Sequence, residues 1–221
     1  MLHTALGPLT FALALLLAWP ATSDTASEPE RLATPLNLLS GHPARTPGGD
    51  MNVVVEIPAG TNAKWETAKD GNGLTWEREN GQPRVVRYLP YPANYGIVPA
   101  THLSKADGGD GDPLDVVLLG PARERGSVVA GRLIGVLRLL DRGEHDDKLL
   151  AVDLSGPLAA VHDLTELERD FPGVTQIVET WFTHYKGPGK IATSGFGDRA
   201  EAAAILERAE ATFEQRASAA R

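Results

Sequence analysis

Residues 128–140 read VVAGRLIGVLRLL and carry enough Val, Leu and Ile to form one long β-strand or two short ones. Three shorter apolar runs lie on either side of this segment in the chain, at residues 52–57 (NVVVEI), 114–119 (LDVVLL) and 149–154 (LLAVDL). Short strands that are separated by Gly and Pro turns favour a barrel or a sandwich over alternating βαβ units.

A hairpin is predicted between two further runs, residues 74–78 and 84–89. The dipeptide Asn80-Gly81 lies between them, and Asn-Gly favours the tight turn of a two-residue hairpin. This pair of strands would add to the predicted sheet.

The C-terminal third of the chain changes from strand to helix periodicity. Apolar side chains recur there at the spacing of one helix face, and they are Val174, Ile177, Val178, Trp181, Phe182 and Tyr185. A final helix is predicted to begin at Asp198, with Glu201 in the capping-box position. Its buried face would consist of Ala202, Ile205, Leu206, Ala209 and Phe213. We therefore predict an α+β, mainly β fold, in which helices pack at the side of a small barrel.

The composition excludes several classes of function. The 221 residues suit one domain, and 29 acidic against 21 basic residues leave a formal net charge of −8. Nucleic acid is therefore not the expected partner, because its recognition needs a basic surface. The chain has no cysteine, which rules out disulfides, thiolate metal sites and a cysteine nucleophile.

The N-terminal fifty residues are predicted to precede the folded domain. Residues 9–19 (LTFALALLLAW) have the length of a signal-peptide apolar region, and the small residues Ala21 and Ser23 fit a cleavage site. We expect a signal peptide at 1–23, a flexible linker at 24–50 and the domain at 51–221. This predicts export to the periplasm or the extracellular space, with no membrane attachment after cleavage. An uncleaved anchor is the alternative, although the run is short for a membrane span.

An acidic turn at residues 107–115 (DGGDGDPLD) is the most informative segment. It places Asp110, Asp112 and Asp115 within six residues. Two carboxylates about 4 Å apart repel by roughly 4 kcal/mol at an effective dielectric constant near 20. Such a group needs either a strong cation or dispersal into water, and an ordinary solvated loop is the alternative interpretation.

A second acidic turn, DRGEHDDK at residues 141–148, lies between two predicted strands. Its carboxylates belong to Asp141, Glu144, Asp146 and Asp147. If the two turns converge, their oxygens can bind a hard cation such as Mg²⁺ or Ca²⁺. An EF-hand is excluded, because Asp115 occupies the loop position that requires glycine. Mg²⁺ is therefore favoured.

Cationic and phenolic side chains accompany these turns. They are Lys64, Arg84, Lys148 and Lys186, together with Tyr91, Tyr95 and Tyr185. Each of them, taken singly, could serve packing or solubility or complement a helix dipole. The residues alone leave that choice open.

Taken together and in order, these segments resemble the soluble inorganic pyrophosphatases of family I. The matching strings are EIPAGTNAKWE (56–66), YPANYG (91–96), DGDPLD (110–115), DRGEHDDK (141–148) and HYK (184–186). The resemblance extends from about residue 51 to residue 190. It implies a five-stranded OB-like barrel with helices at its side. It also implies Mg²⁺-dependent hydrolysis of pyrophosphate to two phosphates by a metal-activated water.

The resemblance also implies a role for each matching residue. The metal ligands would be Glu56, Asp110, Asp112, Asp115, Asp141 and Asp146. The phosphate-binding residues would be Lys64, Arg84, Tyr91, Lys148, Tyr185 and Lys186. Asp112 would also take a proton from the attacking water, Tyr95 would lie close to that water, and Glu66 would be a supporting acid. Lys64 and Arg84 would take part in catalysis as well as binding, with Arg78 or Arg87 as alternatives to Arg84.

The resemblance implies several Mg²⁺ ions per site, with Mn²⁺ or Zn²⁺ as open alternatives. It implies pyrophosphate as substrate and a homo-oligomer. Two other functions remain open: a secreted protein of the same fold that binds divalent cations or phosphate, and a hydrolase of longer polyphosphates or organic diphosphates.

Overall fold

A computed structural model describes residues 30–104, 109 and 111–219 of the chain. The predicted signal peptide, the first residues of the predicted linker and Asp110 lie outside the described residues. The strands of the described part are β1 (Arg31–Leu32), β2 (Met51–Ile57), β3 (Trp65–Thr67), β4 (Leu74–Trp76), β5 (Arg78–Glu79), β6 (Gln82–Pro83), β7 (Asn94–Ile97), β8 (Asp115–Leu119), β9 (Val128–Asp141), β10 (Glu144–His145), β11 (Lys148–Asp153) and β12 (Ile191–Gly197). Its helices are α1 (Leu164–Asp170), α2 (Val174–His184) and α3 (Arg199–Ala219).

Pairing among the longer strands closes a ring. Strand β2 pairs with β7, β7 with β8, β8 with β11, β11 with β9, and β9 with β2. The β8–β11 pair is parallel and the others are antiparallel. Strand β9 closes the ring because it is long: its first residues pair with β2 and its later ones with β11 and β12. The predicted mainly β architecture with helices at the side is confirmed.

The two faces of the ring bury different clusters, because successive strand residues point to opposite sides. Leu150 and Val152 of β11 belong to the cluster that includes α2. Leu149 and Ala151 belong to the cluster that includes α3. Both helices are thus fixed to the barrel by apolar burial, and α2 brings its C-terminal end to the same region as the acidic turns.

Residues 30–50 pack onto the domain, so the prediction that it starts at Met51 is wrong for this part. Strand β1 pairs with β4, and Leu38 is buried, with its N–H donating to the carbonyl of Gly71. Arg45 forms an ion pair with Glu210 of α3 at 2.9 Å. The segment is rich in Pro and Gly, which is typical of a linker. Its contacts with the domain could not be read from that composition, because each of them joins residues far apart in sequence.

The predicted hairpin is shorter than its sequence pattern suggests. Asn80 and Gly81 form the turn with φ values of 52° and 78°, and β5 and β6 on either side of it are two residues each. Residues 84–89 form no strand. The carbonyls of Val86 and Tyr88 accept hydrogen bonds from the Asn62 side-chain amide, so they are not available to a strand partner.

The helix predictions are confirmed with two corrections. The Glu201 N–H donates to Asp198 Oδ1 at 2.9 Å, which is the predicted cap of α3. Ile177, predicted to be buried, is 59% exposed, and Phe213 is only partly buried. Helix α1 and strand β12 were not predicted. In the described part of the chain, no helix is long and apolar enough to cross a membrane.

Candidate active site

Strands of the barrel bring the predicted site residues to one end of the sheet. Residues from different strands meet there, and they are Glu56 on β2, Tyr95 on β7, Asp115 on β8, Asp141 on β9 and Lys148 on β11. Asp115 is the first residue of β8 and Lys148 the first of β11, and these two strands are parallel neighbours. Their starts therefore lie side by side.

Lys148 occupies the centre of this group. Its side chain is buried, and its Nζ donates to Asp115 Oδ2 at 2.5 Å and to Asp146 Oδ1 at 2.6 Å. Burial alone would lower the pKa of Lys148, but Asp115 and Asp146 outweigh burial and hold that pKa above its usual range. The ammonium is thus permanently charged and joins the two predicted acidic turns.

Asp141 forms a second ion pair of the same kind. Its Oδ2 accepts from Lys186 Nζ at 2.6 Å. Burial opposes the charge of Lys186, yet Tyr185 and Asp141 raise its pKa. The other carboxylate oxygen of Asp141, Oδ1, is buried and has no hydrogen-bond partner among the described residues. A buried carboxylate oxygen without a partner is costly unless a ligand satisfies it.

Glu56 is nearly inaccessible to solvent, with 3% of its surface exposed. Its Oε1 accepts from the Thr67 N–H at 2.6 Å. Burial raises the pKa of Glu56 to about 7, although Lys64 and the bond from Thr67 act in the opposite direction. Glu56 can therefore change its protonation state near neutral pH.

We expect the substitution Glu56→Gln to stabilise the metal-free protein at pH 8 by about 3 kcal/mol, and to have a much smaller effect at pH 5. The folded state keeps the Glu56 proton up to about pH 7, whereas the unfolded state releases it near the ordinary value of 4.5. The free energy of unfolding of the wild type therefore falls as pH rises between these values, and the glutamine variant lacks this loss. Urea denaturation in EDTA at both pH values measures the difference. Equal stability of the two proteins at pH 8 would contradict the buried, high-pKa carboxyl, and Glu79→Gln, at an exposed position of β5, is the control.

Lys64 and Arg84 lie next to each other through backbone pairing. The Lys64 N–H donates to the Arg84 carbonyl at 3.0 Å, and the Glu77 N–H donates to the Lys64 carbonyl at 2.9 Å. The Arg84 guanidinium binds Glu77 at 2.7 Å, and Lys64 Nζ lies 5.2 Å from the centroid of the Tyr95 ring. Both cations thus face the tyrosines of the site. Glu77 is a partner that sequence reasoning missed, because only the register of the pairing reveals it.

The alternative arginines lie elsewhere. Arg78 is exposed and pairs with Glu30, while Arg87 is exposed on the segment that follows. Arg84 is half-buried, and although burial opposes its charge, Glu77 and, to a smaller extent, Tyr185 raise its pKa. Of the three candidate arginines, Arg84 is therefore the one that lies near the other predicted site residues.

Three tyrosines form a connected aromatic group. The ring centroid of Tyr91 is 5.5 Å from that of Tyr95 and 6.5 Å from that of Tyr185. Burial raises the pKa of Tyr91 and of Tyr95 well above the usual range, and it raises that of Tyr185 as well. All three phenols therefore stay protonated and can donate hydrogen bonds.

Asp112 and Glu66 lie at the exposed side of the site. The pKa of Glu66 is raised, first by partial removal from water and then by Glu77, with Asp112 adding to the effect. Asp112, Asp115 and Asp146 also border a cavity of about 300 Å³ that reaches Ile205 of α3. The structure thus brings together the predicted residues that it describes, and Asp110 lies outside them.

The donor set suits a hard cation. In the described residues no three acidic or histidine side chains are arranged around a common point, and lysines bind Asp115, Asp146 and Asp141. Carboxylate oxygens are nevertheless the ligands that Mg²⁺ prefers. The buried Asp141 Oδ1 lacks a partner that such an ion would supply. The residues present therefore fit a divalent cation.

A model of the inorganic pyrophosphatase family matches residues 53–214 of the chain. This protein belongs to the inorganic pyrophosphatase family. An inorganic pyrophosphatase of Yarrowia lipolytica is 38% identical over 153 residues, which are 62% of this chain and 53% of the relative. The chain spans about half the length of the curated relatives that it matches.

Solved structures of the family share the fold. A type I inorganic pyrophosphatase from Toxoplasma gondii superposes with a TM-score of 0.76 at 28% identity, covering 81% of this chain and 88% of that one. The inorganic pyrophosphatase of Helicobacter pylori gives a TM-score of 0.65 at 31% identity, covering 80% of this chain and 98% of that one. The resemblance of the five sequence strings to this family is thereby confirmed.

Proposed function

We propose that this protein hydrolyses inorganic pyrophosphate to two phosphates and that the reaction depends on Mg²⁺. The observation that carries the proposal is the alternation of carboxylates and ammonium groups at one end of the barrel. Lys148 lies between Asp115 and Asp146, and Lys186 lies against Asp141. Such a site offers anionic ligands to metal ions and cationic ligands to phosphate within a few ångströms. Pyrophosphate, the substrate expected from family membership, needs both kinds of ligand.

The metal ligands that we propose are those of the sequence analysis. They are Glu56, Asp110, Asp112, Asp115, Asp141 and Asp146. Bound Mg²⁺ would neutralise this acidic group, lower the pKa of a bound water and attract the anionic substrate.

The side chains of the protein supply positioning and charge, which are the main requirements of phosphoryl transfer. The phosphate-binding residues that we propose are Lys64, Arg84, Tyr91, Lys148, Tyr185 and Lys186. The cations compensate charge that develops on the departing phosphate. Tyr91 and Tyr185 donate hydrogen bonds because their pKa values keep them protonated. Asp112, at the exposed edge, accepts the proton of the attacking water, and Tyr95 orients that water through its O–H.

Phosphate release from three substrates tests this proposal against its rivals. Pyrophosphate, tripolyphosphate and ATP are each supplied with Mg²⁺ and, separately, with EDTA. We expect fast release from pyrophosphate with Mg²⁺ and loss of release in EDTA. Preference for tripolyphosphate would instead indicate a polyphosphate hydrolase. Binding of phosphate or Mg²⁺ without any turnover would indicate a binding protein.

We also propose that the protein forms a homo-oligomer. Leu89 and Ile177 are 67% and 59% exposed, and together with Tyr88 they border an apolar groove beside α2. An exposed apolar surface of this kind is often covered in an assembly. Sedimentation velocity of the wild type and of Leu89→Glu decides the question, since a monomeric wild type would contradict the proposal.

Export remains a proposal that rests on residues 9–23. Expression of the full chain in a bacterial host, followed by fractionation and N-terminal sequencing, tests it. A mature N-terminus at Asp24 in the periplasm is the expected result, and an intact chain in the cytoplasm would contradict it.

A further inference from the structure

Trp181 lies behind the phenols of the site and touches two of them. Its ring is stacked on that of Tyr185, with centroids 4.7 Å apart and planes inclined by 9°. It also packs against Tyr91 at a centroid distance of 4.2 Å. The side chain is 4% exposed, so its surface is almost entirely used in these and neighbouring contacts.

The two tyrosines come from different segments of the chain, and their rings also meet directly at a centroid distance of 6.5 Å. Tyr185 is the C-cap of α2, one helical turn after Trp181. Tyr91 follows residues 84–89, which form no strand. The Trp181 Nε1–H donates to the Leu89 carbonyl at 2.9 Å, two residues before Tyr91. The indole thus joins α2 to the irregular segment by the Tyr91 ring contact and the hydrogen bond to Leu89, while it stacks on Tyr185 at the end of its own helix.

We propose that Trp181 is a positioning residue that fixes Tyr91 relative to Tyr185 and thereby aligns their hydroxyl groups for phosphate. This inference rests on the proposed function, in which both phenols bind phosphate. Aromatic contacts have defined geometry, so the indole sets both distance and tilt. A displacement of about 1 Å in a positioning group can reduce catalysis by as much as 100-fold. The sequence pattern indicated a core role for Trp181 and gave no sign of this one.

Kinetics of two variants test the proposal. Trp181→Leu removes the aromatic stack and the hydrogen bond, whereas Trp181→Phe keeps an aromatic ring but loses the hydrogen bond and part of the stacked surface. We expect kcat/KM for Mg²⁺-pyrophosphate to fall about 30-fold in Trp181→Leu and less than fivefold in Trp181→Phe. Circular dichroism gives the folded fraction, to which the rates are normalised. Leu167→Ala, in the same core cluster but on α1, controls for destabilisation alone.

A double-mutant cycle separates positioning from general packing. If Trp181 acts through Tyr185, then adding Trp181→Leu to Tyr185→Phe costs clearly less than Trp181→Leu costs in the wild type. Full additivity of the two substitutions would overturn the proposal. So would a Trp181→Phe variant as impaired as Trp181→Leu, or a loss equal to that of Leu167→Ala at the same folded fraction. If Trp181→Leu does not fold, Trp181→Met takes its place in the same cycle, because it also removes the aromatic ring and the hydrogen bond.

The outcomes also distinguish the two proposals. A wild type that releases no phosphate from pyrophosphate contradicts the proposed function itself. A wild type that is active while Trp181→Leu keeps its full kcat/KM contradicts only the positioning role.

Discussion

Lys148→Met is expected to lower the free energy of unfolding of the metal-free protein by about 3 kcal/mol. The ammonium of Lys148 is buried and binds Asp115 and Asp146 at 2.5 and 2.6 Å. Methionine keeps most of the apolar stem but leaves the two carboxylates facing each other without a cation. Removing one member of a buried ion pair costs about 3–5 kcal/mol, and the low end applies because both aspartates are about a quarter exposed. Urea denaturation in EDTA measures the loss.

Mg²⁺ is expected to restore much of this loss. If the two carboxylates belong to a metal site, millimolar Mg²⁺ stabilises Lys148→Met by more than it stabilises the wild type, because no lysine competes for the same oxygens. The matched control is Lys190→Met, which removes an exposed lysine near the same end of the barrel. A variant that is destabilised but indifferent to Mg²⁺ would argue against a metal at Asp115 and Asp146. A variant as stable as the wild type in EDTA would show that Lys148 does not hold the aspartates together.

The sequence predicted that the two acidic turns would converge, but not how their residues would pair. Acidic turns next to apolar strands indicated that Asp115, Asp141 and Asp146 would meet. Nothing in the local pattern showed that a lysine would lie between them, because Lys148 and Asp115 are 33 residues apart. Their contact depends on the parallel pairing of β8 and β11, and parallel neighbours are joined by long connections that leave no turn signal.

The predictions that were wrong failed for the same physical reason. Residues 30–50 have a linker composition, yet β1 pairs with β4 and Leu38 is buried. Ile177 fits the apolar helix face but is exposed, because the packing partner of a helix decides which part of its apolar face is covered. Local patterns specify elements well and specify long-range contacts poorly.

Asp115→Asn is expected to reduce Mg²⁺-dependent phosphate release from pyrophosphate by at least 100-fold. Asparagine has nearly the same shape and can still accept a hydrogen bond from Lys148. It removes the negative charge that makes this side chain a strong ligand for Mg²⁺. The substitution leaves the phosphate-binding cations unchanged. The expected loss of activity therefore comes from the missing negative charge, because electrostatic stabilisation dominates phosphoryl transfer. Steady-state phosphate release at saturating substrate measures it.

We expect the Asp115→Asn variant to remain folded, so that a loss of activity can be attributed to the site and not to unfolding. In the variant Lys148 still binds Asp146, so we expect a loss of stability of no more than about 1 kcal/mol in EDTA. Isothermal titration with Mg²⁺ alone should show weaker binding, which is a readout independent of turnover. Asp147→Asn is the matched control: Asp147 lies in the second acidic turn, and its Oδ1 accepts from the Leu139 N–H at 2.9 Å, a bond that asparagine can keep. Wild-type activity in Asp115→Asn would show that the reaction does not need the negative charge of Asp115. An equal loss of activity in Asp147→Asn would show that the loss is not specific to the charge at the start of β8. Either result would contradict the proposed role of Asp115.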